Sequence, residues 1–406
     1  VSKIPYSKLR AFLLICFSLA FGLASEAEFS LVSPAPLFAQ SLSFERALPG
    51  RTLQFPRDHG NHPTFETEWW YFTGHLFDEQ GQPFKDASRQ GFQLTFFRRA
   101  KKAEEQSPNS GDAASWNQVY LAHAALSDFV RPQFLFSKRI SSGALGVAGA
   151  ASFGLKAWNR DWKAEMMGDS VVLEFSLPAK ENEGKAPETK ESEPEVRLVG
   201  KIIEAPVLQG EAGLSKKGVC EGCASFYYSV PRLELTGHIR RGESISKVHG
   251  IGWMDHEFMS NALGKDQVGW DWFSLNTKDG ASVMLFQLRN KKGDIDFSSG
   301  TLVRRIPGRA DLQVSMLKPE DFSIDVLSTW ESAKSKGRYP SHWRVRVPKA
   351  ELDVEILPKL ADQELVSKGG AVGDVAYWEG AVSSSDNAVI GYVEMTGYAG
   401  EMGEIL

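Results

Sequence analysis

Two distant stretches of this chain follow one plan, and that duplication constrains the fold more than any other feature. DHGNHPTFETEWWYFTGHL (58–76) and DHEFMSNALGKDQVGWDWFSL (255–275) each open on Asp-His and run into an aromatic segment. Asp255-His256 stands where Asp58-His59 stands, and WDWFSL where WWYFTG stands. Downstream, FQLTFFR (92–98) lies over VMLFQLR (283–289), ending on Arg98 and Arg289, and LELTGHI (233–239) resembles VEMTGYA (393–399). A unit used twice predicts two similar domains. Function is then expected where the two units meet or in what each encloses.

Both units read as all-β. Helical periodicity is scarce, whereas two-residue alternation recurs: Trp343, Val345 and Val347, then Leu352, Val354 and Ile356, flank a Pro-Lys-Ala turn and predict a hairpin. The charge-rich segments at 100–112 and 179–195 hold too little apolar surface to offset chain entropy, so they are hairpin tips or mobile loops. A sheet of many strands must dispose of its edges, and closure into a barrel does so. The expected fold is two tandem antiparallel up-and-down β-barrels, over 45–245 and 246–406, with two β-sandwiches as the alternative. A barrel of about eight to ten strands has room inside for one small apolar ligand.

The N-terminus reads as a leader rather than as fold. Lys3, Lys8 and Arg10 precede an apolar run from Ala11 to Ala24, followed by small and polar residues, in the order of a secretory signal peptide. Residues 1–39 are therefore assigned to a signal peptide and leader, with cleavage after Ala24, Ala27 or Ala39, and the protein is expected in the periplasm or secreted. Cys16 lies inside the apolar run without the small residue that precedes a lipidated cysteine. Cys220 and Cys223, in VCEGC, sit in a glycine-flanked turn with no βαβ pattern after it, which favours a structural disulfide over a redox centre. A net charge of -5 with mixed signs argues against nucleic acid as a partner. Eleven Trp and 25 Phe imply large aromatic walls, buried or lining a cavity.

At RDHGNHPTFETEWWYFTGHL (57–76), YYSVPRLELTG (227–237), GIGWMDHEF (250–258), GWDWFSL (269–275) and YWEGAV (377–382), the chain resembles the AttH/CrtC-like family. These two-domain lipocalin-like proteins are labelled secreted hydrolases or carotenoid 1,2-hydratases. The resemblance covers the chain beyond its leader and implies two calycin-type barrels side by side and an apolar pocket. It also implies hydration or cyclisation of polyene or isoprenoid substrates without a cofactor. The chain resembles the secreted AttH-like branch more than the carotenoid-pathway enzymes, and that branch's association with membrane transporter permeases implies two readings: an enzyme acting on a hydrophobic small molecule, or a carrier passing a lipid or apolar compound to such a permease.

Adding water across an alkene needs a strong proton donor, a wall that tolerates a carbocation and a placed water. A carboxylic acid with a raised pKa suits the first role, and aromatic faces the second. Asp271, a lone acid between Trp270 and Trp272, is the expected donor, with Asp255 and His256 orienting water. Trp70 aligns with Asp271 in the other unit. Neighbours on a strand point to opposite faces, so an Asp271 that enters the second barrel sends Trp270 and Trp272 outward, into the contact between barrels. The wall is expected from Trp70, Tyr71, Tyr228, Trp253, Trp270, Trp272, Trp378 and Tyr392, with Tyr377 and Tyr398 as further suppliers. Structural alternatives accompany these roles: Asp271 pairing with a buried arginine such as Arg289, and the Asp255-His256-Glu257 cluster capping a turn. Glu68, Glu379 and Glu394 stand as second acids.

No metal and no cofactor are expected. His59 and His62 have HxxH spacing near Glu66 and Glu68, but Gly60-Asn61 and Pro63 make the segment a loop, and HExxH is absent. A serine hydrolase is disfavoured because no GxSxG elbow occurs.

Overall fold

The computed structural model describes residues 43–101, 117–177, 193–260, 263–306, 311–367 and 375–400, so the leader assigned to 1–39 lies outside the described residues. The first sheet is built from β1 (Thr67–Asp78), β2 (Gln90–Ala100), β3 (Gln118–Asp128), β4 (Gln133–Ser142), β5 (Ala148–Ala150), β6 (Lys156–Asn159), β7 (Trp162–Met167), β8 (Ser170–Ser176), β9 (Pro194–Ile202), β10 (Val207–Leu208), β11 (Leu214–Lys216), β12 (Ala224–Arg241) and β13 (Ser244–Met259). The second contains β14 (Gln267–Thr277), β15 (Ser282–Asn290), β16 (Ile295–Arg305), β17 (Leu312–Leu317), β18 (Ser323–Glu331), β19 (Arg338–Val347), β20 (Leu352–Pro358), β21 (Glu364–Ser367), β22 (Val375–Ser383) and β23 (Val389–Met395). All described elements besides these strands are short 3-10 turns, and every strand pair is antiparallel. The all-β, barrel-like architecture is thus as expected: two curled sheets, with the predicted Trp343/Ile356 hairpin present as β19–β20.

The duplication is real, with one shift. The spatial orders β4-β3-β2-β1-β13-β12-β9-β8 and β17-β16-β15-β14-β23-β22-β20-β19 are the same path, in which the last strand of each unit returns to pair with its first. β1 therefore corresponds to β14 and β2 to β15, as WWYF over WDWF and Arg98 over Arg289 require. The second Asp-His pair does not open the second unit. It lies on β13, which closes the first sheet beside β1, so that sheet extends to Met259, past the 245/246 boundary drawn from sequence. LELTGHI falls on the penultimate strand of its unit and VEMTGYA on the last, so those two segments are not equivalent. The turn that makes the β12–β13 return possible is Gly242-Glu243: Arg241 pairs with Ser244, and Gly242 has φ 60, a left-handed conformation that costs glycine least.

Alternation divides every central strand between two buried environments. On β1, Trp70, Phe72 and Leu76 point into the first sheet's own core with Leu94, Phe96, Tyr228 and Met254, while Tyr71 joins a separate cluster with Tyr227, Trp253, Trp272, Phe286 and Tyr392. That second cluster is where the outer faces of the two sheets pack together. The second sheet has its own interior around Phe273, Leu285, Trp343 and Trp378. Approach across the contact is close: a Cβ on Gly91 would meet the Tyr392 hydroxyl at 2.6 Å and the Ala381 side chain at 2.9 Å. Polar ties cross it as well, from His75 Nε2 to Gly391 O at 2.8 Å and from Gln93 Nε2 to Glu379 Oε2 at 2.8 Å.

Candidate functional site

The packing of the two outer faces is incomplete and leaves a cavity of about 100 Å³. Trp69, Tyr71 and Phe97 line it from the first sheet, and Trp270, Trp272 and Phe286 from the second. These side chains share the cavity because they occupy outward positions on strands whose other positions fill the two interiors. Tyr71 meets Trp272 edge-on, with centroids 5.2 Å apart, and the Trp272 indole donates to the Tyr227 hydroxyl at 3.1 Å.

Carboxyl groups are set among these rings. Asp255 and Glu394 hold equivalent places in the two units: Asp255 is opposite Tyr71 on β1, and Glu394 is opposite Trp272 on β14. Asp255 accepts from Tyr227 Oη at 2.7 Å, from Trp253 Nε1 at 2.7 Å and from Ser229. Those bonds favour its charge, yet burial outweighs them and raises its pKa to about 7. Glu379 is the cross-strand neighbour of Glu394 and is 1% exposed. Its Oε2 accepts from Gln93, but its Oε1 has no hydrogen bond of regular geometry, although the nearby Tyr71 hydroxyl is close enough for each group to affect the other's ionisation. Burial, followed by the neighbouring Glu394, pushes the Glu379 carboxyl well above the ordinary range. Glu394 is raised too, first by desolvation and then by the charges of Asp255 and Glu257. The fourth acid, Glu257, is neutralised by Lys217 Nζ at 2.7 Å. The chemical result is a partly open aromatic cavity lined by three carboxyl groups whose burial favours the protonated form.

A second polar cluster fills the interior of the first barrel. The turn before β1 brings His62 to Glu68 (Nδ1 to Oε1, 2.7 Å) and to Asp58 (Nε2 to Oδ1, 3.0 Å). From β13, His256 Nε2 reaches the same Glu68 Oε1 at 2.9 Å. His59 and His256 both contact the Tyr228 hydroxyl, at 2.6 and 3.2 Å, and Trp70 stacks on His256 while donating to His59 O. The histidines of the two Asp-His motifs thus meet in one cluster, whereas Asp255 faces the cleft. His62, Glu68 and His256 offer three ligand atoms within 4.8 Å of one another, so these residues could hold a metal. They do not have to: Glu68 Oε1 already accepts from both imidazoles and Oε2 from Arg98, which makes the group a satisfied hydrogen-bond network without an ion.

The residues singled out in the sequence divide between these environments. Asp255, Tyr71, Trp270 and Trp272 line the cleft. Trp253 and Tyr392 pack in the same inter-sheet cluster beside it. Trp70, Tyr228 and His256 lie in the first interior and Trp378 in the second. Asp271 points into the second unit, where Arg289 Nε stands 3.3 Å from its Oδ1 and Tyr398 Oη donates to its Oδ2 at 3.1 Å. Its neighbours Trp270 and Trp272 face out into the cleft, as alternation requires of them. Asp271–Arg289 is the counterpart of the interior pair Glu68–Arg98, with the two arginines at matching positions. Phe97, Phe286, His123 and Lys217 also line the cleft and were not anticipated. Phe97 and Phe286 were recoverable from strand alternation. Lys217 arrives from the turn closed by the Cys220–Cys223 disulfide, and no local pattern marks it.

Fold and site together define a two-unit lipocalin-like protein with an aromatic, carboxyl-bearing cleft between its units. The chain belongs to the AttH-like family, whose sequence profile matches residues 46–398. The crystal structure of a candidate AttH from Nitrosomonas europaea is similar over 87% of this chain and 100% of that one, at 31% identity and a TM-score of 0.71. Kievitone hydratase from Nectria haematococca shares the fold at 12% identity, over 88% of this chain and 99% of that one, with a TM-score of 0.56. No curated protein matches the sequence.

Proposed function

We propose that this protein is a cofactor-free hydratase acting on an apolar, isoprenoid-like alkene held in the cleft between the two units. The observation that carries the proposal is the Glu379 carboxyl, buried among rings beside Glu394, where desolvation favours its protonated form. Glu379 gives that proton to the less substituted alkene carbon, leaving the cation on the more substituted one. The faces of nearby rings stabilise this cation electrostatically. Water adds to it and passes a proton to Glu394, the cross-strand neighbour of Glu379, from which the acid is restored. Asp255 orients the water. The donor is therefore placed on Glu379 rather than on Asp271, whose carboxyl pairs with Arg289 inside the second unit. Kievitone hydratase, by its name, performs hydration on the same fold, although fold likeness alone assigns no substrate here. The basic and apolar N-terminal run and the Cys220–Cys223 disulfide support an exported protein.

The test is native mass spectrometry after incubation with an isoprenoid and lipid extract. Wild type is expected to return a compound heavier by one water. Glu379→Gln, nearly isosteric but without a transferable proton, is expected to form it more slowly by on the order of 10²-fold. If both proteins retain the same unmodified apolar molecule, the protein is a carrier and the hydratase reading fails.

A further inference from the structure

The cleft contains more acid than base. Of its four carboxyl groups only Glu257 has a cationic partner, Lys217. The two arginines at its margin are committed elsewhere, Arg98 to Glu68 and Arg99 to Glu66. Among the described residues, the groups acting on Asp255 are hydroxyls, an indole and another acid, and Glu379 is met by Gln93, Glu394 and Tyr71. Three carboxyl groups thus line an aromatic cavity with no cation bound to them. Buried carboxylates are normally paired with a cation, and these three, although Asp255 and Glu379 accept hydrogen bonds, have none among the described residues.

The lining also shows what would satisfy it. At one end the protein supplies its own cation: Lys217 Nζ lies 4.4 Å from the centroid of Phe286 and 5.2 Å from that of Tyr227, while pairing with Glu257. Rings and a carboxylate holding an ammonium form the arrangement by which proteins recognise organic cations. The remaining lining repeats those parts without the ammonium: Asp255, Glu379 and Glu394 with Tyr71, Trp270 and Trp272.

We propose that the cleft is a binding site for an organic cation, an apolar quaternary ammonium or tertiary amine, seated against the Tyr71 and Trp272 rings beside the Glu394, Asp255 and Glu379 carboxyl groups. The inference deepens the hydratase reading, because the positive centre of the ligand occupies the place of the carbocation, but it stands on binding alone and needs no turnover. Such a ligand is either a substrate in its own right or a tight competitor of an alkene substrate.

The probe is benzyltrimethylammonium, compared with its uncharged carbon isostere neopentylbenzene, by quenching of tryptophan fluorescence at pH 8 in the full-length protein. The cation is expected to bind at least about tenfold more tightly than the isostere, which corresponds to one charge contact of about 1.4 kcal/mol. Glu394→Gln and Asp255→Asn, which keep side-chain volume and remove the carboxyl groups that ionise by pH 8, are each expected to reduce that ratio toward one. Equal binding of the two probes by wild type overturns the inference, as does a preference for the cation that survives both substitutions. Hydration of an extract compound without cation preference would leave the hydratase reading standing and this one refuted. Cation preference without hydration would do the reverse.

Discussion

Replacing Arg98 by Leu is expected to destabilise the protein by about 3–5 kcal/mol, the cost of removing one partner from a buried ion pair. Arg98 and Glu68 are both fully buried. The guanidinium donates to Glu68 Oε2, Gln118 Oε1, His62 O and Phe65 O, each at 2.9 Å, and so joins β1, β2, β3 and the turn before β1 at one point. Burial works against the charge on Glu68, and His62 and Arg98 overcome it, holding the carboxyl well below its usual range. Without Arg98 that charge loses a main support and two carbonyls lose their donors. Lysine is not expected to rescue the loss, because a single ammonium cannot reproduce the planar fork. Chemical denaturation at neutral pH checks this, and a loss under about 1 kcal/mol would show that the cluster does not carry the first unit in the way its geometry implies.

Asp255→Asn is expected to change the pH dependence of stability by an amount of similar size. The Asp255 pKa is raised from 3.8 to about 7 in the folded protein. Between those values the unfolded chain has released this proton and the native protein still holds it. Stability contributed by the group is therefore complete below about pH 4 and lost as pH rises toward 7. At 1.36 kcal/mol per unit the loss reaches at most about 4 kcal/mol. Asparagine does not titrate, and its carbonyl can still accept from Trp253. Measured by urea unfolding across this range, the variant should gain steadily on wild type as pH rises and stop gaining above about pH 8. Parallel curves would mean that Asp255 is ionised in the native protein and does not serve as a proton-bearing group of the cleft.

Local patterns revealed most of the fold and about half of the cleft. The alternation in GWDWFSL required Trp270 and Trp272 to leave the barrel together if Asp271 entered it, and the structure has that arrangement. The same rule separates Trp70 from Tyr71, so naming both as ligand contacts joined residues that a strand must place on opposite faces. Which of the named acids share the cleft was not legible. Asp255, Glu379 and Glu394 converge through the return of β13 to β1, of β23 to β14, and the packing of one sheet on the other, none of which leaves a mark near those residues. The paired Asp-His motifs were misleading for a related reason. They read as equivalent openings of two units, whereas chain reversal brings the second back to the first and joins both at Tyr228.

A crystal structure of Glu379→Gln after exposure to the isoprenoid extract, in which substrate is retained but not protonated, locates the reacting double bond. The expected result is an apolar molecule in the cleft against Tyr71 and Trp272, with its double bond against the side chain at position 379. A molecule lodged inside either barrel, beside Asp271 or His256, would contradict it.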